Sequence, residues 1–160
     1  MNLNPLPLNP LPLNPTPLNP TPLNPTPLNP LQIDIHALAA DFIANVETCN
    51  LEALAAMYAP DGIVNINAIG VDQPAAETFE TLRAMHQRAE SIRYEVLEVI
   101  PTESGYVQRH RLHVVVPQRG DTGPQHLVIP ACLVVTLKDG LVARVDEYLD
   151  SSQIAPLFQR

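Results

Sequence analysis

Prolines spaced alternately two and three residues apart run through the first 30 positions and exclude regular structure there. From Asn4 the chain reads NPLPL, NPLPL, NPTPL, NPTPL, NPTPL and NPLQI, with Asn at 4, 9, 14, 19, 24 and 29. Each proline fixes φ, removes an amide donor and pushes the residue before it out of the helical region. That spacing suits neither a helix nor a central strand, so 1–30 reads as an extended or disordered Pro/Asn/Leu pentapeptide-repeat arm. It holds 11 of the 18 prolines and no charged residue. All 9 basic and 17 acidic side chains follow, from Asp34 onward. The folded unit is therefore a single domain over 31–160, long enough to bury a core.

Within that domain the hydrophobic period changes from helical to alternating. Ile35, Leu38, Phe42, Ile43 and Val46 recur at helical spacing and predict a helix over 34–48. Asn50 is a candidate N-cap for a second helix over 51–58, with Glu52 in its first turn. Pro60-Asp61-Gly62 reads as a turn, 63–68 as a short strand and 75–89 as a third helix. From there the period is two. Strands are expected over 92–101, 106–116, 126–137 and 141–150, joined at Glu103-Ser104-Gly105, a loop at 119–123 and Asp139-Gly140. Residues 151–158 close the chain as a short helix or coil. Helices followed by a run of strands make an α+β plan. A strongly bent, antiparallel or mixed sheet wrapped around the N-terminal helices gives a cone with an interior pocket.

A net charge of −8 and a pI near 4.9 argue against a nucleic-acid footprint or a basic membrane-binding face. No apolar run reaches the roughly 18 residues of a membrane helix. Two cysteines, Cys49 and Cys132, make no disulfide framework, and no secretory signal pattern precedes them. The expectation is a cytoplasmic protein with reduced thiols, no zinc-type ligand spacing, no metal and no cofactor.

The sharpest chemical signal lies in the last strand. Leu141, Ala143, Val145, Glu147 and Leu149 share one face, apolar except for Glu147, so Glu147 is expected to point inward. A carboxylate there is either paired or shifted upward in pKa, and both make it useful as a general acid or base. A buried ion pair that only fixes register would look the same. Arg109, Arg111 and His113 share one face of the second long strand, and Gln108, His110 and Leu112 share the other. Both faces are mixed. Either Arg109 points in and pairs with Glu147, with Arg111 and His113 adding donors, or these three form a solvated stripe and His110 is the inward histidine. Leu112, Val114 and Val116 lie opposite Arg109. Taken as an outer apolar face, they predict a symmetric homodimer.

The stretches LAADFIANVETCNLEALAAMYAPDGIV and VVTLKDGLVARVDEYLD resemble the nuclear-transport-factor-2-like superfamily, nearest its SnoaL-like polyketide cyclase and limonene-epoxide hydrolase branches. The resemblance covers about 34–155. It implies a cone-shaped α+β domain, commonly dimeric, with a deep pocket for a small apolar molecule. It also places a catalytic carboxylate at Glu147, where those branches carry Asp. Tyr106-x-x-Arg109-x-Arg111 is similar to a Tyr-x-x-Arg-x-Asp stretch of the epoxide hydrolases, which matches Arg109 to a bridging arginine but puts Arg111 in place of an acid. The function implied is that of an isomerase, cyclase, dehydratase or hydrolase on an apolar substrate. Glu147 would move the proton, Arg109 orient it, and Arg111 and His113 stabilise developing negative charge. The alternative is a non-catalytic small-molecule-binding or dimerisation module of the same fold. The discriminator is whether the cavity holds a proton acceptor together with a separate oxyanion donor.

Overall fold

Asp34 opens the first helix. Its carboxylate accepts the Ala37 amide at 3.0 Å and caps α1 (Ile35–Glu47). Asn50 caps α2 (Leu51–Met57) in the same way, accepting from the Ala53 amide at 3.3 Å. The chain continues through β1 (Tyr58–Ile66), β2 (Asp72–Pro74), α3 (Ala75–Arg88), β3 (Ser91–Thr102), β4 (Gly105–Val116), β5 (Gln125–Lys138), β6 (Leu141–Leu149) and α4 (Ser151–Phe158). This computed structural model describes residues 33–118 and 123–158. The expectation for the repeat arm lies outside them.

The strands form one open, curved, mixed sheet in the order β2-β1-β6-β5-β4-β3. Every neighbouring pair is antiparallel except β1 and β6, which run parallel. Two elements depart from the sequence reading. β1 starts at Tyr58, and the expected Pro60-Asp61-Gly62 turn is a register irregularity inside that strand. β2 has three residues, too few to show an alternation. Side chains pin it instead: Arg144 donates to both Asp72 oxygens at 2.9 Å, and Asn65 Nδ2 donates to Asp72 at 2.7 Å.

Two packed clusters fill the concave side. Ile35, Phe42 and Ile43 of α1 and Leu54 of α2 pack on Tyr106, Leu133, Val135, Val142 and Val145. Met85 of α3 and Leu157 of α4 cover Leu112, Val114, Val116 and Ile129. Each such aliphatic side chain contributes roughly 1.5–3 kcal/mol on burial. The second cluster corrects the dimer-face expectation. Leu112, Val114 and Val116 are at most 3% exposed and belong to the core, so they offer nothing to a second chain. Gln108 and His110 share their face, and these two polar residues hid its inward orientation in the sequence.

A bulge in β6 also matters. Thr136 pairs with Arg144 and Leu137 with Val142, which leaves Ala143 as an extra residue. The extra residue resets the alternation. Val142 and Val145 are consequently both buried, although strict period two assigns them opposite faces.

Candidate active site

Glu147 is placed by the row it occupies across the sheet. Ile66 of β1 flanks it on one side; Leu133 of β5, Gln108 of β4 and Val99 of β3 follow on the other. Between this row and the helices lies a cavity of about 270 Å³. Phe42 and Val46 of α1, Leu54 of α2, and Phe79, Leu82 and Met85 of α3 form its roof. Glu147 is the one carboxylate among the described residues of its lining. No described side chain hydrogen-bonds or ion-pairs with it. Half-buried and facing the cavity, the carboxyl is pushed up to about 7 by burial.

Asn67 fixes the backbone around that carboxyl. Its amide donates to the Glu147 carbonyl at 2.9 Å. Its side chain then imitates a peptide group, with Nδ2 donating to the Leu149 carbonyl at 3.0 Å and Oδ1 accepting the Leu149 amide at 3.1 Å.

Two tyrosines face the same space, and the sequence did not single out either. Tyr58 stands at the start of β1, its ring 5.9 Å from Phe42 and 6.0 Å from Phe79. Gly62 allows that position, because a Cβ at residue 62 would lie 2.8 Å from the Tyr58 ring. Tyr94 is held at both ends: its amide donates to the Glu47 carboxylate at the end of α1, and its ring tilts against His110 at 5.1 Å. Burial raises both phenols well above the ordinary tyrosine range, with the Glu147 charge adding to the effect. Both therefore stay protonated and remain donors. Behind this wall Tyr106, Gln108 and His110 point inward and are fully buried. Burial holds His110 down to about 4, so it is neutral at pH 7.

The remaining predicted site residues lie elsewhere. Arg109 is on the convex face, where Nη1 donates to Glu98 at 2.8 Å, and its side chain is 59% exposed. Arg111 bonds Glu95 at 3.2 and 3.3 Å. His113 lies 3.0 Å from Glu95 and 3.3 Å from His126. The expected Arg109–Glu147 pair is thus corrected, together with the cavity roles of Arg111 and His113; the solvated-stripe alternative describes them. The reason is register. A two-residue turn pairs Thr102 with Gly105 and sets Glu98 opposite Arg109. A bulge at Leu97 then keeps Glu95 on the same face, opposite Arg111. Exposed pairs of this kind are worth at most about 1 kcal/mol. Arg109→Met should accordingly lower urea-unfolding stability by less than about 1 kcal/mol, not by the 3–5 kcal/mol (roughly) of a broken buried pair.

This geometry has relatives. A family profile described as the SnoaL-like domain matches residues 39–145. The chain belongs to the SnoaL-like domain family. Among solved structures, IdmH from Streptomyces antibioticus, described as a polyketide cyclase, superposes with a TM-score of 0.68 at 11% identity, covering 79% of this chain and 99% of that one. A protein from Shewanella putrefaciens CN-32, described as a SnoaL-like polyketide cyclase, gives 0.66 at 15% identity over 79% of this chain and 96% of that one. An LEH-like epoxide hydrolase from M. tuberculosis gives 0.59 at 14% identity over 77% and 87%. At these identities the likeness is one of fold. No curated protein sequence matches the chain. No described helix is long and apolar enough to cross a membrane.

Proposed function

We propose that this SnoaL-like domain is a proton-transfer catalyst. Its substrate is a small, mostly apolar molecule carrying a carbonyl group. The observation that supports this is the company of Glu147: one carboxyl on an apolar wall, with two protonated phenols lining the same cavity. A group titrating near 7 serves as both base and acid at neutral pH. Ionised Glu147 takes a proton from the carbon beside the carbonyl. The C–H electron pair moves into an enolate, and Tyr58 or Tyr94 donates a hydrogen bond to the oxygen where charge develops. Returning the proton at another carbon gives an isomerase; attack of the enolate on a second carbonyl gives a cyclase. Two structural relatives are described as polyketide cyclases, in keeping with that first step. Epoxide opening by paired carboxylates fits less well, since no second carboxylate and no arginine is among the described cavity-lining residues. The non-catalytic alternative loses ground to the same donors, which supply the separate oxyanion partner that it lacks.

A panel of small cyclic ketones in D2O tests the reading whatever the final reaction. The full chain should speed exchange of the hydrogens next to the carbonyl, read by proton NMR. Glu147→Gln should lose about 100-fold or more, and Tyr58→Phe or Tyr94→Phe should each lose an intermediate factor. Exchange no faster in the parent chain than in Glu147→Gln, across a panel that binds, contradicts it. A homodimer is proposed as well, now through the convex face, where Val128 and Tyr148 are exposed. Light scattering that reports a monomer at tens of micromolar contradicts that part.

A further inference from the structure

We infer that the cavity also recognises a compact organic cation, a methylated ammonium group seated between the Glu147 carboxylate and the aromatic side chains around it. The inference goes beyond the proton-transfer reading and does not depend on it, because it concerns binding alone. Three observations carry it. The first is charge. Glu147 is the one carboxylate of the described lining, and no Lys, Arg or His faces it there. An ionised carboxylate in an apolar cavity is costly without a countercharge, and a cationic ligand supplies one. An anionic ligand meets no cation and is rejected.

The second observation is the walls. Phe42, Tyr58, Phe79 and Tyr94 all line the cavity. Phe42 is inclined at 60° to Tyr58, and Tyr58 at 63° to Phe79, so these rings form adjoining walls and not a stack. Ring faces attract a cation held near them. The third is the scarcity of acceptors. A primary ammonium brings three N–H donors that all need partners, whereas a methylated one brings methyl groups that match the apolar lining. The cavity of about 270 Å³ exceeds the size of such a group.

The ionisable groups that face Glu147 are Tyr58 from β1 and Tyr94 from β3. Behind them stand Glu47 of α1 and Tyr106 and His110 of β4. From α2, α3, β5 and β6 the described lining receives no other ionisable side chain. The tyrosines stay protonated and His110 stays neutral through the neutral range, so among the ionisable side chains of the described lining Glu147 alone changes charge between pH 6 and 8; His86 of α3, bonded to the Val46 carbonyl at 2.9 Å, stands outside that lining.

Choline and its carbon isostere 3,3-dimethylbutan-1-ol differ in charge and hardly in shape, so they separate charge recognition from fit. Calorimetric titration of the full chain at pH 8 should show choline binding about tenfold tighter or more. Lowering the pH to 6 should erase about tenfold of that preference, with the alcohol unchanged. Glu147→Gln should bind both alike. Equal binding at pH 8, a preference that persists in Glu147→Gln, or one indifferent to pH overturns the inference. The pH arm uses the parent chain and stands even if the variant folds poorly. Failure of ketone exchange with intact choline selectivity would remove only the catalytic reading, and the converse only this one.

Discussion

Glu147→Gln should make the protein more resistant to urea at pH 8 and leave it nearly unchanged at pH 4. In the folded chain the Glu147 carboxyl titrates near 7 because burial disfavours its charge. In the unfolded chain it titrates near the ordinary glutamate value of about 4.3. The folded state therefore holds the proton more tightly. Stability is at its fullest below about pH 4 and falls as the pH rises through about 7, where folding must either keep the proton or bury the charge. The loss at pH 8 is roughly 3.5 kcal/mol, taking one pKa unit as about 1.4 kcal/mol. Glutamine keeps the shape and has no proton to lose, so this slope disappears from the variant. Denaturant unfolding at several pH values reads it directly. Parallel stability curves for parent and variant between pH 5 and 8 contradict the expectation.

A second large effect is expected at a position far from any chemistry. Gly105→Ala should cost more than about 3 kcal/mol, at the severe end of single substitutions. A Cβ at residue 105 would lie 2.0 Å from the Val135 carbonyl oxygen, 2.9 Å from its carbon and 3.2 Å from the Thr136 Cα. All three are backbone atoms of β5. They move only if β4 and β5 separate, and β4 carries Tyr106, Leu112, Val114 and Val116 into the core. Gly70→Ala is the control. Gly70 has a φ of +73°, but nothing lies within 4 Å of an added Cβ, so its cost is the left-handed conformation alone, about 1 kcal/mol. Thermal melts of the two variants should differ by several degrees. Similar melting temperatures would mean that the β4–β5 ladder yields easily.

The fold was largely legible because its signals are local. Asp34 and Asn50 each place a polar cap before a helical stripe, and both caps form. Glu103-Ser104 and Asp139-Gly140 turn where expected, with Asp139 at a φ of 52° and Gly140 at 84°. The inward course of Glu147 followed from Val145 and Leu149 beside it. What stayed hidden depends on register. The bulge at Ala143 that returns Val142 to the core leaves no mark in the composition. The partners of Arg109 and Arg111 could have been found, since counting back from the two-residue turn places Glu98 opposite Arg109. The family resemblance pulled the other way, toward an inward arginine. Tyr58 and Tyr94 were obscure for another reason. Tyr58 sat at the end of an expected helix, and Tyr94 read as one more large residue on a strand. Only the curvature of the sheet brings both to the cavity that holds Glu147.

All of these functional readings rest on a solitary carboxyl in an apolar cavity. The direct measurement is a carbon-13 NMR titration of the glutamate side-chain carboxyls, with the Glu147 resonance assigned by its disappearance in Glu147→Gln. A midpoint near 7 is expected. A midpoint between about 4 and 5, the ordinary range for a solvated glutamate, would contradict it and place Glu147 in contact with water or with a cation.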